Sequence, residues 1–269
     1  MTPGSGRFNF LAVLSYAAKL GSSFFIDCPA GKRLSYSFMR IPLTKYGWPQ
    51  VVFLPAAALA AMAAVILAEA VFLPLWAVGL AEAILAAALV FCLMFFRDPS
   101  RFCPSDKAIL LAPADGRITN IEVVKEDGFI GAAAMRIGIF MSIFDVHINR
   151  APCNARVERI TYKKGRYKNA MNPHSGRVNE SNDICLVRTD SPKDRILVRQ
   201  ISGAIARRIV CQVKPGQKLA GGEKFGMIKF GSRTELYVPA GENVKCLVEI
   251  GDKVKAGLTA LVRYERCED

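Results

Sequence analysis

Apolar positions run through this chain in two textures. Residues 51–96, VVFLPAAALAAMAAVILAEAVFLPLWAVGLAEAILAAALVFCLMFF, are almost unbroken and hold only two charges, Glu69 and Glu82. Forty-six residues at about 1.5 Å each would overrun a hydrocarbon layer of about 30 Å, so one straight span fits poorly. The pattern predicts two helices, near 51–68 and 71–96, with a turn around Glu69 to Pro74. A run this long that begins fifty residues in does not read as a cleaved leader. A hairpin returns both ends to one side, whether it spans the bilayer or is re-entrant.

From Arg97 onward the runs are short: RITNIEVV, MRIGIFMSIF, DICLVRT, RILVRQI, ARRIVCQV, MIKF, ELYV and CLVEI, each bounded by Gly, Pro, Asp or Asn. Ile209, Cys211 and Val213 fall on one face of such a run, as do Cys246, Val248 and Ile250. No long stretch keeps a helical period, so residues 97–269 read as one mostly-β barrel or sandwich. The phrases VKPGQKLAGGEKFG (213–226) and VEIGDKVKAGLTA (248–260) echo each other. Their glycine-bearing turns resemble those of biotinyl/lipoyl-like β-hybrid folds. The chain is thus expected to comprise an N-terminal extension (1–50), an apolar α-helical membrane hairpin (51–96) and a β domain (97–269). Within the extension, FNFLAVLSYAAKL suits either a short amphipathic helix lying on a bilayer or a loosely ordered tail.

Charge narrows the partners. The net charge is +13, and residues 97–269 alone carry 30 Lys+Arg against 20 Asp+Glu. That balance suits an anionic partner, either nucleic acid or a phospholipid surface. Aromatic residues do not interleave with the basic ones as in a nucleic-acid platform, which disfavours the first. The one dense cluster, KKGRYK (163–168), reads as a solvated loop or as a segment resting on anionic headgroups. Six Lys/Arg precede the hairpin and RDPSR follows it, which puts both ends of the hairpin in the cytoplasm, at the inner cell membrane. Eight cysteines form no C-x-x-C pair and have no His at ligand spacing, so no metal is expected.

Candidate chemistry is sparse, because the chain has only two histidines. His147, in FMSIFDVHINRAP, ends an apolar run between Asp145 and Arg150; His174 lies in a polar, turn-rich stretch. Asp115 sits in the turn of LAPADGRI, and Ser232 follows Gly231 in KFGSRTELYVP. Each has an ordinary structural reading. Together Asp115, His147 and Ser232 are an acid, a base and a nucleophile in one β domain. A membrane-anchored serine hydrolase would use the same three, but the G-x-S-x-G elbow is absent, since Ser232 lies in F-G-S-R-T. A non-catalytic lipoyl-like domain would need a modifiable Lys at a hairpin tip; Lys253 and Lys255 lack the usual Met-Lys-Met setting.

FFRDPSR (95–101), LAPADGRI (111–118), IFMSIFDVHINRAP (139–152), NESND (179–183), ISGAIARRIVCQV (201–213) and GGEKFGMIKFGSRTELYVP (221–239) occur in that order. The ensemble resembles phosphatidylserine decarboxylase in its short, pyruvoyl-dependent form, over roughly 41–269. The stretch departs from that family at Ser181, where Asn-Glu-Arg is usual, and at Gly216-Gln217, where Gly-Asp is usual. The resemblance implies that Ser232 is consumed to make the cofactor. Its hydroxyl attacks the Gly231 carbonyl, elimination splits the chain, and a covalent pyruvoyl group (pyruvate) remains on residue 232. His147 is the implied base, oriented by Asp115. The products would be a β chain, 1–231, and an α chain, 232–269, held together as a heterodimer because adjacent strands of one sheet flank the break. The pyruvoyl group would form a Schiff base with phosphatidylserine and release CO2, leaving phosphatidylethanolamine. Archaetidylserine presents the same headgroup and fits the same reading.

Overall fold

A computed structural model of the chain describes residues 24–27, 33–36, 43–69, 74–172, 175–204, 208–229 and 231–265. The chain divides into two units, Met1–Ile41 and Pro42–Asp269. In the first, β1 (Phe24–Asp27) pairs antiparallel with β2 (Arg33–Tyr36). The amphipathic helix considered for FNFLAVLSYAAKL lies outside the described residues.

The second unit opens with a 3-10 turn (Lys45–Gly47) and two helices, α1 (Gln50–Glu69) and α2 (Leu75–Phe95). Both are long and apolar enough to cross a membrane. The second begins at Leu75, later than the apolar pattern suggests. Pro74 precedes it in an extended conformation, ψ 143°, and a proline disfavours helix in the residue before it. Phe53, Leu67, Leu75 and Trp76 are each more than 70% exposed, an open apolar surface that calls for a non-aqueous partner. The foot of the hairpin is different. Phe95 and Phe96 are fully buried in a cluster with Tyr46, Val146, Ile148 and Met227. Burial of each phenyl ring stabilises by about 1.5–3 kcal/mol, so the end of α2 is fastened into the β domain.

That domain pairs all of its named strands antiparallel. Its main sheet has eight strands, ordered β11 (Lys218–Leu219), β7 (Ala155–Lys163), β8 (Ser181–Arg188), β9 (Arg195–Ile201), β13 (Ser232–Pro239), β5 (Ala132–Met141), β4 (Gly116–Glu126) and β15 (Lys253–Val254). Bulges at Ile118/Asn120 and Val157/Arg159 bend strands and raise local twist, curling the sheet around a core that includes Ile137, Ile139, Ile184, Val198 and Leu236. Two three-stranded sheets cover it: β10 (Ile209–Cys211), β12 (Lys224–Ile228) and β6 (Ile148–Arg150); and β14 (Val244–Cys246), β16 (Ala260–Tyr264) and β3 (Ile109–Leu111). A single helical turn, α3 (Ser175–Val178), precedes β8.

Two runs end earlier than their apolar residues suggest. MRIGIFMSIF stops as a strand at Met141, because Ser142–Asp145 closes a turn in which each residue's backbone N–H is bound by the other. In KCLVEI only the part through Cys246 is strand, and Ile250 is 65% exposed rather than on the core face. Ile209, Cys211 and Val213 do pack against the core.

The echoing phrases are structural counterparts. Gly216 and Gly251 both adopt positive φ, 86° and 103°, and each leads into a two-residue strand at one edge of the main sheet. Each strand pairs with a matching segment: Lys218 and Leu219 face Arg156 and Ala155, while Lys253 and Val254 face Arg117 and Gly116. Asn154 Oδ1 accepts from Gly221 N–H as Asp115 Oδ1 accepts from Ala256 N–H. Leu111 N–H donates to Pro152 O, and Arg150 N–H to Pro113 O. The segments APADGR and APCNAR are thus exchanged by an approximate internal two-fold.

Candidate active site

The Gly231–Ser232 junction lies where the chain leaves one sheet for another. β12, before it, pairs with β10 and β6; β13, after it, pairs with β9 and β5. The expectation that adjacent strands of one sheet flank this point is therefore corrected. The sequence shows two neighbouring apolar runs, but their partners are remote in the chain and belong to different sheets. Gly231 makes the crossing at φ +60°, a conformation that favours glycine because it lacks a Cβ.

His147 meets this crossing from the loop between β5 and β6. Gly231 N–H donates to Nε2 at 3.2 Å, and Nδ1 lies 2.9 Å from the Asp145 carbonyl oxygen. An amide can only donate and a carbonyl can only accept, so Nδ1 carries the proton and Nε2 presents a lone pair. The ring is fully buried and packs on Phe95, centroids 4.4 Å apart. Burial pushes its pKa down from 6.5 to about 4, against the Asp145 carbonyl, which favours the protonated form. The Asp145 carboxylate accepts Ser142 N–H at 2.8 Å, and burial raises its pKa. Arg97 ties the loop to the foot of α2 by donating to both Met94 O and Phe144 O.

Ser232 is fully buried at the first position of β13, opposite Met141 on β5. Its Oγ donates to Met141 Sδ at 3.2 Å, a weak acceptor. Neither Asp115 nor Ser232 hydrogen-bonds the imidazole among the described residues. Asp115 instead forms a two-point ion pair with Arg101, at 2.6 and 2.7 Å, and caps Ala256 N–H at 2.7 Å. The contact that orients His147 is the Asp145 carbonyl, where Asp115 was expected. Asp115 acts on the ring only through its charge, which favours the imidazolium. His174 lies outside the described residues.

Several neighbours carry no signal that reasoning from residue types would isolate. Arg233 and Glu235 are completely buried and paired at 2.8 Å; Arg233 also donates to Thr119 Oγ1 and Asn120 Oδ1. Asn179 pins the basic loop, accepting from Lys168 N–H and donating to the carbonyls of Lys168 and Ser202. Lys163–Asn169 themselves are exposed, and Ser181 is buried where β8 begins. Lys229 Nζ donates to Gln50 Oε1 at 2.8 Å, joining the strand before the junction to the start of α1.

A buried neutral imidazole beside a serine whose hydroxyl has only a soft partner is the equipment of an enzyme rather than of a carrier or scaffold. Residues 88–262 match the family described as phosphatidylserine decarboxylase. The phosphatidylserine decarboxylase proenzyme of Carboxydothermus hydrogenoformans is 44% identical over 176 residues, 65% of this chain and 81% of the relative. That of Nitrosomonas eutropha is 40% identical over 233 residues, 86% of this chain and all of the relative. That of Symbiobacterium thermophilum is 41% identical over 228 residues, 84% and 98% of the two chains. The chain belongs to the phosphatidylserine decarboxylase family.

Proposed function

We propose that the chain is a precursor that cuts its own backbone between Gly231 and Ser232 and then decarboxylates phosphatidylserine to phosphatidylethanolamine at a membrane surface. The observation that carries this reading is the unprotonated Nε2 of His147, held 3.2 Å from the backbone nitrogen of Gly231. A serine hydroxyl is a poor nucleophile until a base takes its proton, and a base whose pKa is about 4 is ready to accept one throughout the physiological range. Ser232 Oγ attacks the Gly231 carbonyl carbon and its proton passes to Nε2. The C–N bond breaks and an ester joins the two pieces. Loss of the Ser232 Cα proton then expels the Gly231 carboxylate and leaves a dehydroalanine, which water converts to a pyruvoyl group and ammonia. The pieces are 1–231, the β chain, and 232–269, the α chain of about 4 kDa, from 38 of the 29.4 kDa chain's 269 residues.

Residue 232 fits that group. A pyruvoyl group needs no more room than the serine it replaces, and this position is fully buried opposite Met141 on β5. When bound, the group supplies a carbonyl that takes up the electrons left as CO2 departs. His147 Nε2, once it has taken up a proton from solvent, passes it to the substrate carbon that has lost CO2. Asp115 adds negative charge that favours this protonated state.

The hairpin and the basic surface agree with a lipid substrate. The exposed apolar helices keep the domain on the bilayer, and basic flanks at both ends of the hairpin support a cytoplasmic orientation at the inner membrane. Denaturing intact-mass analysis of wild-type and Ser232→Ala protein, with CO2 release from phosphatidylserine vesicles, tests the whole reading. The wild type should give pieces of about 25 and 4 kDa and the variant a single inactive chain. A variant that still splits, or still releases CO2 at the wild-type rate, would overturn it.

A further inference from the structure

Gly203, just beyond β9, comes closer to the Gly231 carbonyl than any side chain could. A Cβ at Gly203 would stand 2.1 Å from the Gly231 oxygen and 3.0 Å from its carbon. The volume that a side chain would fill is therefore the volume that this oxygen occupies. Gly203 does not itself lie in the left-handed region, so backbone conformation is not what requires glycine there. Nor can it back away freely, because Ser202 beside it is held by its N–H and hydroxyl on Glu180 O and by its own carbonyl on Asn179.

We propose that Gly203 is a positioning residue for backbone scission: it seats the Gly231 carbonyl oxygen while negative charge develops on it. This rests on the self-cleavage reading above. As Ser232 Oγ bonds to the carbonyl carbon, the π electrons of C=O move to the oxygen, and the hydroxyl proton goes to His147 Nε2. The oxygen is then confined against Gly203, whose Cα–H points at it as a weak donor. Collapse re-forms C=O, breaks the C–N bond and returns the proton to the Ser232 nitrogen, giving the ester. A methyl at residue 203 displaces the oxygen before any of this begins.

The test compares Gly203→Ala with Gly226→Ala, using freshly translated full-length chains in nanodiscs. Gly226, in β12, is a matched steric control, because a Cβ there would stand 2.2 Å from Val210 O in β10. Cleavage is followed by gel, folding by thermal melting, and any ester by its scission with hydroxylamine. Gly203→Ala should cut at least ten-fold more slowly than Gly226→Ala at similar melting temperature, with no hydroxylamine-sensitive ester. Wild-type cleavage of Gly203→Ala, equal slowing of both variants, or build-up of ester in Gly203→Ala would each overturn the proposal. If Gly203→Ala does not fold, Ser202→Ala replaces it. That variant removes the hydroxyl's hold on Glu180 O, loosens the seat of Gly203 and should slow cleavage at least three-fold, with an unchanged rate counting against the idea. Ser232→Ala runs alongside: its cleavage would sink the self-cleavage reading, whereas an intact Ser232→Ala with normal cutting of Gly203→Ala would sink only the role of Gly203.

Discussion

The acid limb of self-cleavage should lie far below that of an ordinary histidine. The perturbation is pH. If His147 Nε2 is the base, the rate follows the neutral fraction of an imidazole whose pKa burial has pushed to about 4. At pH 5.5 that ring is about 97% neutral, whereas one titrating at its usual 6.5 would be roughly 9% neutral, a ten-fold difference in rate. Stability moves the other way and must be separated. Between pH 6.5 and 4 the unfolded chain binds a proton that the folded chain does not, so the fold weakens as pH falls through this window. The loss from His147 is about 1.4 kcal/mol at pH 5.5 and levels off at ~3.4 kcal/mol below pH 4, and it fades to nothing above about pH 7.5. At pH 5.5 the chain should therefore remain folded and still cut. The assay pulses a cell-free translation, jumps the pH, and follows the 4 kDa piece by gel with circular dichroism in parallel. A rate that halves near pH 6.5 while the chain stays folded would refute the inference that a dehydrated His147 is the base.

Two further outcomes follow from the geometry. Arg101 and Asp115 form a nearly dry ion pair, their side chains 6% and 10% exposed, so Arg101→Ala or Asp115→Ala should each cost about 3–5 kcal/mol in urea unfolding. The double variant should lose clearly less than the sum; strict additivity would mean the two charges do not depend on one another. Phe144 is 61% exposed and meets Phe91 of α2 edge-on, centroids 6.5 Å apart, which sets the histidine loop beside the hairpin. Phe144→Trp in a Trp48→Phe/Trp76→Phe background should be quenched by brominated lipid in nanodiscs, and an unquenched signal would detach this loop from the bilayer.

The sequence declares what is written in local period. The apolar hairpin, the short β-runs and the paired turns at Gly216 and Gly251 are all visible because each depends on neighbours a few residues apart. The active-site contacts are not of that kind. Gly231 N–H finds His147 across 84 residues, and Met141 faces Ser232 only because β5 pairs with β13. The orienter of His147 was hidden for another reason: a backbone carbonyl supplies it, and every residue has one. Asp115 drew notice as an acid, yet its counterpart Asn154 does the same capping without a charge. The repeat APADGR/APCNAR would have pointed to that shared task. Gly203 carries no side chain to notice, and its meaning comes wholly from what stands opposite.

The described part of the last 38 residues, 232–265, interlocks with the rest of the chain. β13 is laddered on both sides, while β14, β15 and β16 reach the other covering sheet and the far edge of the main one. Were this small piece to drift off after scission, β5 and β9 would be left with raw edges and the core with a trench between them. If the chain is severed as proposed, the cut would not create a subunit that can be exchanged. Each molecule would then keep for life the fragment it was born with, and a spent terminus could not be renewed by swapping in a fresh one.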